Sequence, residues 1–240
     1  MVFEFGGRDL HATFRSHPEM FSSSGLRTIV QQSLAALSFL HGLGLIHADV
    51  KPSNLLALYD CESLPTSPCI KLADLGSCLV ADPGRRPHIR KDSARHAMRY
   101  ITTLPYRAPE VLLGDMAFGT AIDIWAVGVM MAEFAGLAFT LSKEASSEVG
   151  LVKAWCLQLG RPTGEQLAQL ESFPFTASLL PPALSPAARP FPLGFRVRTI
   201  LGFEGCALLR RVLSWGAQGR TYPIRWLRTY TFACEAIFSL

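Results

Sequence analysis

The sequence predicts an α+β fold that is mainly helical, with a few short strands. Three observations carry that reading. Leu26, Ile29, Val30, Leu34, Leu37 and Leu40 recur at helical spacing. Ile122 to Phe134 is nearly all apolar, the pattern of a helix buried on every side. Leu55 to Leu58 and Ile70 to Leu72 are short apolar runs around a Pro/Ser turn at Cys61 to Cys69, so they are expected to pair as a hairpin.

The elements follow in order. Val2 to Phe5 is a short apolar run ended by Gly6-Gly7, which predicts the end of a strand and then a flexible crossing. Ser22, Ser23 and Ser24 offer caps for the Leu26 helix, and Gly42 and Gly44 offer its end. Leu45-Ile46 leads into a polar loop that begins at His47. Pro83 to Ala97 is a second polar loop. Leu151 to Leu159 and Cys206 to Leu213 read as helical. Pro174 to Pro192 is rich in proline and is expected to be irregular, as an insert loop. No internal repeat is visible.

Composition narrows the function classes. The chain has 240 residues, which fits one domain better than two. It is 49% hydrophobic and only 18% charged, which supports a packed core and excludes wholesale disorder. The net charge of +4 is mild, and Arg85, Arg86, His88, Arg90 and Lys91 read as a solvated loop, so no nucleic-acid partner is expected. No uninterrupted apolar stretch reaches about 18 residues, so no membrane span is expected. The start carries Glu4 where a secretory leader would be basic. Six cysteines without C-x-x-C spacing read as reduced, mostly buried thiols of an intracellular protein, in the cytoplasm or nucleus.

The strongest motif is H-x-D-x-K-x-x-N at His47 to Asn54. Four fixed positions would match by chance in this length about once in a thousand sequences. Phosphoryl transfer needs a carboxylate to orient a hydroxyl and receive its proton. It also needs a cation where charge develops, and a hard oxygen ligand for magnesium. Asp49, Lys51 and Asn54 put all three on one loop. Twenty residues on, Asp74-Leu75-Gly76 follows the run Ile70 to Ala73, a strand that would deliver a carboxylate to a metal. Thr103 to Glu110 reads T-L-P-Y-R-A-P-E, and Asp123 to Gly128 reads D-I-W-A-V-G.

Together these motifs resemble the eukaryotic protein kinase family of the Ser/Thr type. The stretches Tyr106 to Gly114 and Leu159 to Thr163 are similar to its cyclin-dependent-kinase-like (CMGC) group. The resemblance implies a protein kinase-like fold with ATP and Mg2+ as cofactors. Its substrate would be a protein, and it leaves room for a regulatory protein partner. It implies that Asp49 is the catalytic base and that Lys51 contacts the transferred phosphate. It implies Asn54 and Asp74 as metal ligands. Phe3 would be the gatekeeper, Glu4 and Gly6 would face adenine, Asp9 would reach the ribose, and Leu56 would floor the pocket. Thr103 would link the substrate loop, which also carries Arg107, to Asp49 and Lys51. His47, Glu110, Asp123 and Arg220 would be structural, with Glu110 paired to Arg220 and Asp123 holding the catalytic-loop backbone.

The resemblance also divides the chain. Residues 1–10 would be the hinge and the end of an N-lobe strand, 11–220 the C-lobe, and 221–240 a divergent tail. The sequence contains no G-x-G-x-x-G and no V-A-I-K lysine. The expectation is therefore a C-lobe with the hinge, its N-lobe missing, and either an enzyme, a non-catalytic interaction module or a truncated product. Ala48 stands where the family has the Arg of H-R-D, and Met98 falls near the place of its activating threonine. Both departures predict that phosphorylation of that loop does not gate the protein. Gly216-Ala217 stands where an Asp-Pro usually precedes the final Arg.

Overall fold

The computed structural model describes residues 6–58, 68–81, 101–115, 117–137, 146–162, 164–180 and 195–220. Expectations for Val2 to Phe5, the hairpin turn, the Pro83 to Ala97 loop and the 221–240 tail fall outside them. Gly7, at φ 84°, leads into a two-residue strand, Arg8–Asp9 (β1). A side chain at Gly7 would start 2.2 Å from the Ala57 carbonyl oxygen, so only glycine allows this close crossing. Asp9 then caps helix Leu10–Ser16 (α1), its Oδ1 accepting from the Ala12 N–H at 2.8 Å. The expected flexible crossing is thus a strand and a capped helix.

Helix Ser23–Gly42 (α2) starts after Ser22, whose hydroxyl makes no capping hydrogen bond to the helix backbone, and the predicted apolar positions from Leu26 to Leu40 are buried. Gly44, at φ 73°, turns the chain into strand Leu45–Ile46 (β2). Strands Leu55–Leu58 (β3) and Cys69–Leu72 (β4) pair antiparallel, Leu55 opposite Leu72 and Leu58 opposite Cys69, as the two apolar runs predicted. β1 joins the other edge of β3, giving the order β1-β3-β4. Strand Leu79–Val80 (β5) pairs with β2 as a separate ribbon. Gln32 ties the sheet to α2: its amide N–H donates to the Pro68 carbonyl and its oxygen accepts from the Ile70 N–H.

Among the described residues six further α-helices follow: Pro109–Leu113 (α3), Ala121–Phe134 (α4), Glu148–Leu159 (α5), Glu165–Glu171 (α6), Thr176–Leu179 (α7) and Phe195–Val212 (α8). Within α4 only Ala121 and Glu133 escape full burial. α4 packs between α2 and α8, with Trp125 edge-on to Trp155 at 4.9 Å between centroids and Trp155 edge-on to Trp215 at 6.2 Å. Fully burying one large apolar side chain contributes about 1.5–3 kcal/mol, so this tryptophan row anchors the helical layer. α8 begins well before the predicted Cys206 and contains a non-helical residue, Gly202, at φ 63°.

The expectation of an irregular 174–192 segment is corrected at its start. No proline lies between Phe175 and Leu180, which leaves room for α7, and the Thr176 hydroxyl donates to the Leu170 carbonyl. The cysteine reading also needs correction. Cys156 and Cys206 are buried, Cys69 is exposed and Cys78 is half-buried.

Candidate active site

The site is built outward from α4. Asp123, 1% exposed, accepts the His47 N–H at 2.8 Å and the Ala48 N–H at 3.0 Å. His41, at the end of α2, brings its Nε2 within 2.7 Å of the same carboxylate. Two successive N–H groups can face one acid only if the backbone between them turns sharply, and Ala48 sits in the left-handed region at φ 62°. That conformation costs a residue with a side chain about 1–2 kcal/mol. Hydrogen bonds to a charged group return about 1.5–3 kcal/mol each, so the Asp123 anchor outweighs the strain. Ala48 is itself buried, with no guanidinium in its place.

His47 is fixed by both ring nitrogens. Its Nδ1 accepts the Asp49 N–H at 3.2 Å, which leaves the Nε2–H to donate to the Ala73 carbonyl at 3.0 Å. Ala73 also donates its N–H to the Asn54 carbonyl at 2.9 Å. Asp74 is therefore delivered beside the loop by a residue held from two sides.

Asp49 is the centre of a closed network. Its Oδ1 accepts from the Thr103 hydroxyl at 2.7 Å and the Thr103 N–H at 3.1 Å. Its Oδ2 accepts from Lys51 Nζ at 2.6 Å and Asn54 Nδ2 at 3.1 Å. Lys51 also donates to the Thr103 hydroxyl at 3.0 Å, and Asn54 to the Asp49 carbonyl at 2.8 Å. A carboxylate offers about four lone-pair sites, so four donors saturate it. Burial pushes the Asp49 acid up, but the bonds from Lys51 and Thr103 and the Lys51 charge outweigh it, and its pKa lies below the ordinary carboxylate value.

Two oxygens remain for a hard cation. The Asn54 amide N–H groups are spent on Asp49, which leaves its Oδ1 as the atom for a metal. Asp74 is exposed and left-handed at φ 63°, and one of its oxygens accepts the Gly76 N–H at 3.3 Å. Among the described residues no three His, Cys, Asp or Glu gather as a metal cage. One carboxylate and one amide oxygen fit Mg2+, which keeps waters and substrate phosphates as its other ligands.

At the other edge of the sheet, Asp9 lies opposite Leu56 in register. A side chain on Gly6 would begin 2.2 Å from Leu56 Cδ1, so Gly6 lies directly on that leucine. Gly6, Asp9 and Leu56 are thus together, with one Asp9 oxygen used by the α1 cap. Phe3 and Glu4 are outside the described residues.

A family model of the protein kinase domain matches residues 1–169. The chain belongs to the protein kinase family. Within it, the chain lies on the Ser/Thr, cyclin-dependent-kinase-like (CMGC) branch. It is 35% identical to serine/threonine-protein kinase ppk23 of Schizosaccharomyces pombe over 89% of this chain and 48% of that one. It is 33% identical to serine/threonine-protein kinase MAK of Mus musculus over 72% of this chain and 26% of that one. The chain thus spans about half or less of the length of these curated relatives. Its fold superposes with TM-score 0.76 on the yeast RNA Pol II CTD kinase CTDK-1 complex, at 23% identity, over 95% of this chain and 68% of that one. For the CAK complex of Chaetomium thermophilum bound to ATP-gamma-S, the TM-score is 0.66 at 28% identity, covering 92% and 62%.

The kinase motifs on the substrate side divide into two roles. Thr103 joins the Asp49 network. Arg107, grouped with it in the substrate loop, turns inward instead. It is 4% exposed and donates to the Ile101 and Thr102 carbonyls at 3.1 and 3.0 Å, and it pairs with Glu148 at 3.4 Å. It shapes the loop, in which Thr102 is left-handed at φ 64°. Glu110 and Arg220 form a buried pair at 2.6 Å, with the guanidinium 4.8 Å from the Trp125 ring centre. Sequence reasoning missed His41 and Glu133. Glu133 accepts from the Tyr106 hydroxyl at 2.8 Å, and burial together with that acid pushes the phenol far up. Neither residue lies in a motif, and only its distance from one marks it. Met98 is outside the described residues.

Proposed function

We propose that the protein transfers the γ-phosphoryl group of ATP to serine or threonine hydroxyls of a protein substrate. The observation that carries this reading is the closed Asp49–Lys51–Thr103–Asn54 network. A non-catalytic scaffold has no need to hold a carboxylate, an ammonium and an amide oxygen in that arrangement.

In this reading Asp49 orients the acceptor hydroxyl and receives its proton as the new P–O bond forms. All four of its acceptor sites are filled at rest, so a hydroxyl must displace a donor. Lys51 is the donor that has somewhere else to go, because its ammonium is drawn to the transferring phosphate. Its departure removes the main hydrogen bond that holds Asp49 down, so the base strengthens when the phosphate arrives. Thr103 keeps the substrate loop registered on Asp49 throughout. Asn54 and Asp74 would hold Mg2+, which neutralises phosphate charge when bound. Glu4 and Gly6 would present backbone groups to adenine, Asp9 its second oxygen to the ribose, and Leu56 the floor.

Both superposed structures are complexes, which supports a regulatory protein partner for this kinase as well. Among the described residues no helix is long and apolar enough to cross a membrane. The described cysteines Cys69, Cys78, Cys156 and Cys206 are free thiols, which supports action in the reducing cytoplasm or nucleus. The test is Mg2+-dependent ATP binding by the full-length protein and by Asp74→Asn. Expected is binding that needs the metal and weakens about tenfold or more in the variant. Metal-independent binding, or an unaffected variant, would remove Asp74 from the reading.

A further inference from the structure

Gln32 lies in the middle of α2 and belongs to none of the motifs. It faces β4, the edge strand in the order β1-β3-β4, so one row of β4 backbone groups has no strand to pair with. Gln32 takes that place. Its Nε2 donates to the Pro68 carbonyl at 2.9 Å, and its Oε1 accepts from the Ile70 N–H at 2.7 Å. Groups two residues apart face the same edge of a strand, so one side chain reaches both. A primary amide carries a donor and an acceptor side by side, which is what a carbonyl and an N–H on one edge require together. Asparagine is a methylene shorter, and an ionised glutamate has no donor.

β4 is what carries Asp74 to the site. Asp74 sits exposed in a left-handed turn at φ 63°, steadied locally by a long 3.3 Å bond from the Gly76 N–H. Its position is therefore inherited from the strand before it. Pairing with β3 holds one edge of that strand, and Gln32 holds the other. The exit of β4 is held at Ala73, between the Asn54 carbonyl and the His47 ring. The same helix also grips the catalytic loop. His41, nine residues after Gln32, reaches Asp123, which accepts the His47 and Ala48 N–H groups. At 1.5 Å per residue the two grips are about 13.5 Å apart. One helix thus holds the loop that bears Asn54 at one point and the strand that delivers Asp74 at another.

We propose that Gln32 is a positioning residue for the metal carboxylate. By pairing with the free edge of β4 it fixes where Asp74 stands relative to Asn54. It acts through the strand and touches neither residue's side chain. The proposal rests on the reading of Asn54 and Asp74 as the Mg2+ ligands.

The test is Mn2+ binding to the full-length protein with a non-hydrolysable ATP analogue, read from loss of the free-ion signal in electron paramagnetic resonance. Gln32→Met keeps the side chain's length and removes both hydrogen bonds. Metal affinity weaker by about tenfold is expected, the lower end for outer partners of metal ligands. Gly128→Ala loosens the fold at the α4–α8 contact instead, and should bind the metal as the parent protein does. Gln32→Glu keeps the acceptor for the Ile70 N–H and loses the donor for Pro68. It should weaken binding in the same direction, and it carries the test should the methionine variant fail to fold. Asp74→Asn separates the proposal from the reading beneath it. Binding by Asp74→Asn equal to the parent's would remove the metal reading and the proposal with it. Weakened binding by Asp74→Asn, with parent-like binding by the folded Gln32 variants, would leave that reading standing and overturn the role of Gln32. A loss in Gly128→Ala as large as that in Gln32→Met would overturn it as well.

Discussion

Asp49 holds four donors, and that single fact fixes how its chemistry should depend on pH. Its pKa is depressed in the folded protein, so it is ionised throughout the neutral range. The stability it contributes is complete above its unfolded value and is lost only as pH falls through the lower folded value. No acid limb from Asp49 is therefore expected in kcat/KM between pH 5 and 8. Lys51→Met removes a hydrogen bond that lowers the acid, so its limb should move upward while kcat falls about 10²-fold or more, as a pH–rate profile would register. Cys78, four residues after Asp74, tests the local field independently. Burial raises its thiol first, and the Asp123 and Asp74 charges raise it further. Alkylation at neutral pH, followed by peptide mass mapping, should label exposed Cys69 well before Cys78. Most of these residues were legible because the chemistry demands fixed spacing on one loop. His41 was not, because its role comes from where α2 happens to end against α4.

Helix α4 shows how far an element can be read in advance. A run apolar on every side admits only a buried helix, and its glycine marks a close approach. A Cβ on Gly128 would stand 2.7 Å from Val212 Cγ2 and 2.9 Å from Leu213 Cδ2. Gly128→Ala should therefore overpack the α4–α8 contact, a cost of about 1–3 kcal/mol. Better helix propensity offsets up to about 1 kcal/mol of that. The net loss should appear as a lower denaturant midpoint with an unchanged slope. The short elements were harder to foresee. α1 has seven residues and its start depends on the Asp9 cap, whereas sequence alone offered Gly6-Gly7 as a break. α7 has four residues inside a proline-rich stretch, too few for any apolar period to show. β2 and β5 are two residues each and exist only because they meet each other.

At the scale of the molecule, the motifs specify a helical lobe that carries one catalytic loop on α4 and closes on a buried Glu110–Arg220 pair. Arg220→Met would leave Glu110 charged and unpaired, a loss of about 3–5 kcal/mol, and Glu110→Met with it should recover most of that in equilibrium unfolding. The fold was legible because four motifs in order admit few arrangements. Phosphoryl transfer through Asp49 is tested most directly by incubating the full-length protein with γ-labelled ATP, Mg2+ and a protein substrate, then mapping the phosphate. Incorporation on serine or threonine that falls about 10²–10⁴-fold in Asp49→Asn, with folding intact, is the predicted result. Equal incorporation by Asp49→Asn, or none by the parent protein with its partners present, would contradict it.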